Sequence, residues 1–292
     1  MTWHARSRYV LVDGHRAHVV DAGQGPPVLL LHGFLHSSYT WRATVEALSA
    51  DHRVIVPDLR GFGWGHLGAG DYSLSGFVRW VEGVLTALGI TSLHAAIGNS
   101  LGGGILLHLA ADDPLRFPRL VLVSPLGMPL RMPGLLPLRL LGASAFGSLY
   151  RATAGNPGFI RHALGMTAYR RRPVDAEVLR GFTHLGWTGS HQAAVETARH
   201  LTASSEALAG RLADVRSPTL LVWGAHDRVL PLRYGQRLAE RLTSARLEVF
   251  EDCSHCAHEE HPERFHSALR AFLAEHGDRA EGAPPDGERD AA

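Results

Sequence analysis

"HAAIGNSLGGG", residues 94–104, decides how the chain is read. An apolar run ends in Gly98-Asn99-Ser100-Leu101-Gly102, a G-x-S-x-G, and a helix-like apolar segment follows. In that setting a serine stands at a tight strand-to-helix turn, and the flanking glycines remove Cβ atoms that would collide there. The turn exposes Ser100 Oγ and aims the first helical N–H groups at whatever binds in front of it. The plain structural alternative is a helix N-cap serine beside packing glycines. The strand before and the helix after favour a nucleophile.

Working outward, short apolar runs alternate with helical patterns. Residues 8–14 ("RYVLVDG") and 16–23 ("RAHVVDAG") read as a hairpin turning at Asp13-Gly14. "PPVLLLHGF" (26–34), "HRVIVPDLRG" (52–61), "LHAAIGNS" (93–100), "RLVLVSP" (119–125), "PTLLVWGAHD" (218–227) and "ARLEVFEDCSH" (245–255) read as strands, most of them continuously apolar as in a sheet covered on both faces. Helices are expected in 40–50, 75–89, 101–114 and 231–243, and after Pro262. This rhythm predicts an α/β fold: a mostly parallel, doubly wound sheet with an antiparallel N-terminal strand pair. The alternation stops between residues 127 and 214, where helical patches such as "VDAEVLRGF" and "HQAAVETARHL" replace strands. The expected organisation is a core of 1–126 and 215–276, an inserted helical cap of 127–214, and a disordered tail of 277–292 poor in large apolar residues.

Composition excludes several classes of function. The chain has 292 residues, 45% hydrophobic and 20% charged, with a formal charge of +1, so no field favours nucleic acid or an acidic membrane. No apolar leader follows Met1, and the apolar stretch 120–150 is broken by Arg131, Arg139 and prolines, so no membrane span is expected. Two cysteines make no disulfide framework and fit a reducing cytoplasm. Nothing in the sequence bears on oligomeric state.

A serine hydroxyl attacks only when a base takes its proton and a carboxylate orients that base. Asp227 and His255 each follow an expected strand, as Ser100 does, so a parallel sheet carries all three to one rim. Their order, Ser100, Asp227, His255, is the order such sheets use. The backbone N–H groups of Phe34 and Leu101 are the expected oxyanion donors, with Gly33 admitting close approach. Asn99, Phe182 and Trp187 are expected to line the substrate pocket with Gly33, although Asp227 also suits a turn and aromatics in a cap are as often core.

Taken in order, "LLLHGF", "PDLRGFGWG", "IGNSLGGG", "LLVWGAHDRVLP" and "DCSH" with "HPERF" resemble the successive signatures of the α/β-hydrolase superfamily. The resemblance implies that Ser100 is the nucleophile, Asp227 the acid and His255 the base, acting without metal or organic cofactor. The apolar helical cap suggests a small substrate with a substantial hydrophobic or aromatic part. The serine at the elbow sets the chain apart from haloalkane dehalogenases and common epoxide hydrolases, which carry aspartate there. The loop "HGFLHSSYTW" (32–41) resembles esterases, so a carboxylic ester is the expected substrate. The Asn99-Ser100 pair and helical cap resemble carbon–carbon bond hydrolases of vinylogous diketones, the alternative reaction. A non-hydrolytic ligand-binding or biosynthetic member of the fold is the third reading.

The run "EDCSHCAHEEHP" (251–262) holds two cysteines and three histidines. A zinc site needs more ligands than one C-x-x-C supplies and would consume the base, and a redox pair would open a helix after an early strand. One working histidine, His255, among bystanders is the expected arrangement, with His258 as a lesser alternative.

Overall fold

The computed structural model describes residues 6–65, 67–130, 156–167, 174, 176–185 and 191–276. The expected tail and Trp187 lie outside the described residues.

Eight strands form one sheet in the order β1-β2-β4-β3-β5-β6-β7-β8. They are β1 (Ser7–Val12), β2 (His15–Ala22), β3 (Pro27–Leu31), β4 (Arg53–Pro57), β5 (Ala95–Asn99), β6 (Leu120–Val123), β7 (Thr219–Gly224) and β8 (Ala245–Phe250). β1 and β2 form the expected hairpin; Asp13 and Gly14 take φ of 50° and 76°, the left-handed pair that a tight hairpin needs. β2 runs antiparallel to both its neighbours, and every pair from β4 to β8 is parallel.

Alternate strand residues sort into two cores, because successive side chains of a strand point to opposite faces. Leu29, Ile55, Ala96, Leu122 and Leu221 pack on one face beneath α2 (Leu74–Ala87), α3 (Leu101–Asp112) and α7 (Leu232–Arg241). Val28, Leu30, Ile97, Val121 and Val222 pack on the other, beneath α1 (Arg42–Leu48) and α9 (Pro262–Glu275). Each valine, leucine or isoleucine so buried contributes about 1.5–3 kcal/mol. Helix α9 starts with Pro262 in its first turn, where a missing N–H is harmless.

Between β6 and β7 the described residues contain α4 (Pro157–Thr167), α5 (Ala176–Leu185) and α6 (His191–Ala209), and no strand. The sequence reading did not single out α4. Its start signal is present nonetheless: Asn156 Oδ1 accepts the N–H groups of Gly158 (2.8 Å) and Phe159 (3.2 Å). Ile160, Leu164, Val174, Val178 and Ala194 of this region cluster with Tyr39 and Cys256, and Phe34 and Trp64 pack against the cluster. The inserted helices therefore lie over the loops that follow β3 and β8.

Helix α3 carries Gly102, Gly103 and Gly104, each about 1 kcal/mol poorer than alanine in a helix. Close packing is the reason. A Cβ at Gly102 would lie 2.3 Å from Leu31 O, and one at Gly103 2.5 Å from Pro125 Cβ. Gly102→Ala is expected to push α3 off β3 and to destabilise the protein by roughly 1–3 kcal/mol. A denaturant melt with a wild-type midpoint would contradict this.

Candidate active site

Ser100 stands between β5 and α3 with φ 52° and ψ −113°, a left-handed conformation rarely taken by a residue with a Cβ. Such strain persists only where surroundings impose it. Here they do: Ser100 N–H donates to Val123 O (3.0 Å), while Ser100 O accepts from Leu126 (2.8 Å) and Gly104 (3.1 Å). The side chain is half-buried.

Asp227 ends the turn after β7, and its carboxylate is fully buried. Oδ1 accepts the N–H groups of Val229 and Leu230, both at 2.8 Å, and Oδ2 accepts His255 Nδ1–H at 2.7 Å. Turn-former and orienter are thus one residue using two oxygens. With Nδ1 donating, neutral His255 keeps its lone pair on Nε2, the form a general base needs. Among the described residues, neither Nε2 nor Ser100 Oγ enters a hydrogen bond. The two loops meet through Asn99, whose buried amide donates to Val123 O (3.1 Å) and His255 O (3.4 Å). Asn99 therefore ties the serine elbow to the histidine loop.

No hydrogen bond among the described residues uses the N–H of Phe34 or of Leu101. The Phe34 loop approaches the elbow so closely that a Cβ at Gly33 would lie 2.7 Å from Asn99 Oδ1 and 3.2 Å from Ser100 Cβ. Phe182 lies within α5, but its side chain, like Trp187, is outside the described residues.

Polar ties that sequence reasoning did not foresee hold these loops. His32 Nε2 accepts Leu59 N–H at 3.0 Å, so its proton sits on Nδ1 and reaches Gly33 O at 2.8 Å. Burial keeps this imidazole neutral by lowering its pKa. Asp58, fully buried, accepts Ser38 N–H (2.6 Å), Trp64 N–H (2.8 Å) and His18 Nδ1–H (2.8 Å). "PDLRG" carried the only signal of it, an aspartate directly after an apolar strand. Arg60 donates to Ala69 O (2.7 Å) and anchors its loop.

In the 251–262 run, His258 is not placed as a second base. Thr40 hydroxyl donates to Glu259 Oε1 (2.8 Å), leaving its oxygen to accept His258 Nε2–H at 3.0 Å. The His258 ring stacks on Trp41 at 4.1 Å, and burial pushes its pKa well below the usual value. Cys253 and Cys256 are buried free thiols whose pKa values are raised, first by burial and then by the nearby Glu260. Among the described residues, no group of three or more His, Cys, Asp or Glu side chains is placed to hold a metal ion. No described helix is long and apolar enough to cross a membrane.

Residues 26–262 match the family described as alpha/beta hydrolase fold. The chain is 34% identical over 281 residues to a 2-hydroxymuconate semialdehyde hydrolase of Pseudomonas putida, covering 92% of this chain and 94% of that one. It is 30% identical over 271 residues to a 2-hydroxy-6-oxo-6-phenylhexa-2,4-dienoate hydrolase of Burkholderia cepacia, covering 90% and 93%. Among solved structures it resembles a meta-cleavage product hydrolase from Pseudomonas fluorescens IP01, with 29% identity, a TM-score of 0.77 and coverage of 92% and 97%. An esterase from Exiguobacterium antarcticum, 22% identical with a TM-score of 0.79 over 91% and 98%, shares the fold.

Asp227→Asn keeps an oxygen for Val229 and Leu230 but favours the wrong imidazole tautomer. It is expected to lower kcat about 10,000-fold while leaving the fold intact, read by turnover alongside circular dichroism. Both thiols should stay unreactive toward Ellman's reagent at pH 8 and react after unfolding in guanidinium. A rapid native reaction would contradict their burial.

Proposed function

The chain belongs to the alpha/beta hydrolase fold family, and within it we propose that this hydrolase cleaves a carbon–carbon bond in a 2-hydroxy-6-oxo-hexa-2,4-dienoate. The observation that carries this reading is the near end-to-end similarity to hydrolases named for such dienoates. It supports the alternative reaction better than the carboxylic ester expected first.

Breaking a carbon–carbon bond leaves an electron pair on carbon, so the substrate must delocalise it. Moving the C2 hydroxyl proton to C5 converts the dienol into a vinylogous diketone. Ser100 Oγ then attacks the C6 carbonyl as His255, oriented by Asp227, takes its proton. The N–H groups of Phe34 and Leu101 receive the charge that forms on the C6 oxygen. Collapse breaks C5–C6, and the electron pair runs through C4=C3 onto the C2 oxygen, which the His255 proton neutralises. Water, activated by His255, releases the C6 acyl group from Ser100 as a carboxylic acid. One water is consumed per bond broken.

Three features support this assignment. His255 has the orientation of a base, the two expected oxyanion amides enter no hydrogen bond among the described residues, and Phe34 packs against the apolar cluster to which the helices between β6 and β7 contribute. Gly33 and Asn99 are proposed to border the same space. Phe182 and Trp187 are proposed to complete it from the cap of residues 127–214.

Purified protein should bleach 2-hydroxy-6-oxo-6-phenylhexa-2,4-dienoate and release benzoate, or release formate from 2-hydroxymuconate semialdehyde. Ser100→Ala should reduce either rate by at least about 1,000-fold. Rapid hydrolysis of p-nitrophenyl esters with both dienoates untouched would restore the ester reading. Binding of a dienoate without any turnover would support a non-hydrolytic member of the fold.

A further inference from the structure

We infer that Glu260 is a positioning residue for this reaction: its buried carboxylate grips the main chain on both sides of His255 and so sets where the imidazole lies relative to Ser100. The inference rests on the reading of Ser100 as nucleophile and His255 as base.

Glu260 ends α8 (Ala257–Glu260), the four-residue turn of helix that follows the histidine loop. Its Oε1 accepts Ser254 N–H at 3.0 Å and Cys256 N–H at 3.4 Å, the amides directly before and after His255. Cys253 Sγ lies 3.6 Å from the same oxygen. Cys256 is the N-cap of α8, and the glutamate reaching back supplies an acceptor for its N–H, which has no partner within the helix. His255 is thereby held at three levels. Asp227 fixes the ring, Asn99 fixes the carbonyl, and Glu260 fixes the peptide groups on either side.

The carboxylate is held at a cost. It is 2% exposed, and its partners in the structure are amides and a thiol. The titratable groups facing it are Cys253, Cys256 and the like-charged Asp227. Burial raises its pKa to about 7. Its neighbour Glu259 contrasts with it, pairing with Arg42 at 2.8 Å and Thr40. A raised carboxylate pKa weakens folding as pH rises from the unfolded value through the folded one. Global stability is therefore no reason to keep an ionisable side chain there, whereas placement of the base is a reason to keep an acceptor of that reach.

Full-length wild-type protein, Glu260→Ala, Glu260→Asp and Glu260→Gln separate the roles. The rate at which a fluorophosphonate labels Ser100 reports alignment of the base without needing a natural substrate, and kcat and KM for the dienoate accompany it. Gln keeps an acceptor at the same reach, while Asp keeps the charge but withdraws it by one methylene. Ala and Asp should slow labelling and kcat roughly 10- to 100-fold with KM little changed, and Gln should stay within about threefold of wild type. At pH 8 the Gln protein should melt no lower than wild type. Wild-type labelling in Ala and Asp would overturn the inference while leaving the triad standing. A folded Gln protein as slow as Asp would overturn it as well, because reach would then not be what matters. If Ala does not fold, Asp against Gln decides. Wild-type protein that is not labelled at Ser100 would remove the nucleophile reading and this inference with it.

Discussion

The first turn of α3 lies so close to the ends of β3 and β5 that only glycine fits between them, and that contact underlies the whole carboxyl rim of the sheet. A Cβ at Gly98 would meet the main chain of Gly102 and Gly103 at under 3 Å, and one at Gly102 would meet Leu31 O at 2.3 Å. The close approach seats Ser100 in its left-handed conformation at the head of α3. Three poor helix formers in a row are tolerated because the helix is held by burial and not by propensity.

Around this contact the loops are fixed by buried polar groups with defined partners. Asp58, neutral His32 and His18 join the loop after β4 to the loop after β3. Thr40, Arg42, Glu259 and His258 join that loop to the segment following His255. In a low-dielectric interior each such tie is strong when satisfied and expensive when broken, which gives the rim one arrangement instead of several. The loop after β3 and the imidazole of His255 are thus positioned by a network of buried polar groups.

The helices between β6 and β7 pack on this rim. Cys256, next to His255, belongs to the apolar cluster that includes Ile160, Leu164 and Val178, so the histidine loop is packed between the sheet and those helices. That explains why the C-x-x-C pair is chemically quiet: its thiols fill apolar space beside acidic groups, where the thiolate is disfavoured.

How far the sequence alone reached follows from which interactions are local. Strand order of appearance, the hairpin at Asp13-Gly14, the elbow at Ser100 and the helix after Pro262 were all legible, because hydrophobic periodicity and turn chemistry are written in consecutive residues. Asp227 and His255 were legible for a related reason: in a parallel sheet, a residue that follows a strand is carried to a known end. Helix α4 was obscured by its glycines, and its Asn-Pro start counted for too little against them. Glu260 and Asn99 were undecidable in one dimension. "CAHEEHP" contains two adjacent glutamates, and only the packed chain turns one toward Arg42 and the other back to the amides flanking His255. Whether a carboxylate lies beside a cation or beside its own backbone depends on the direction of a turn, and that direction is set by contacts between segments more than 200 residues apart.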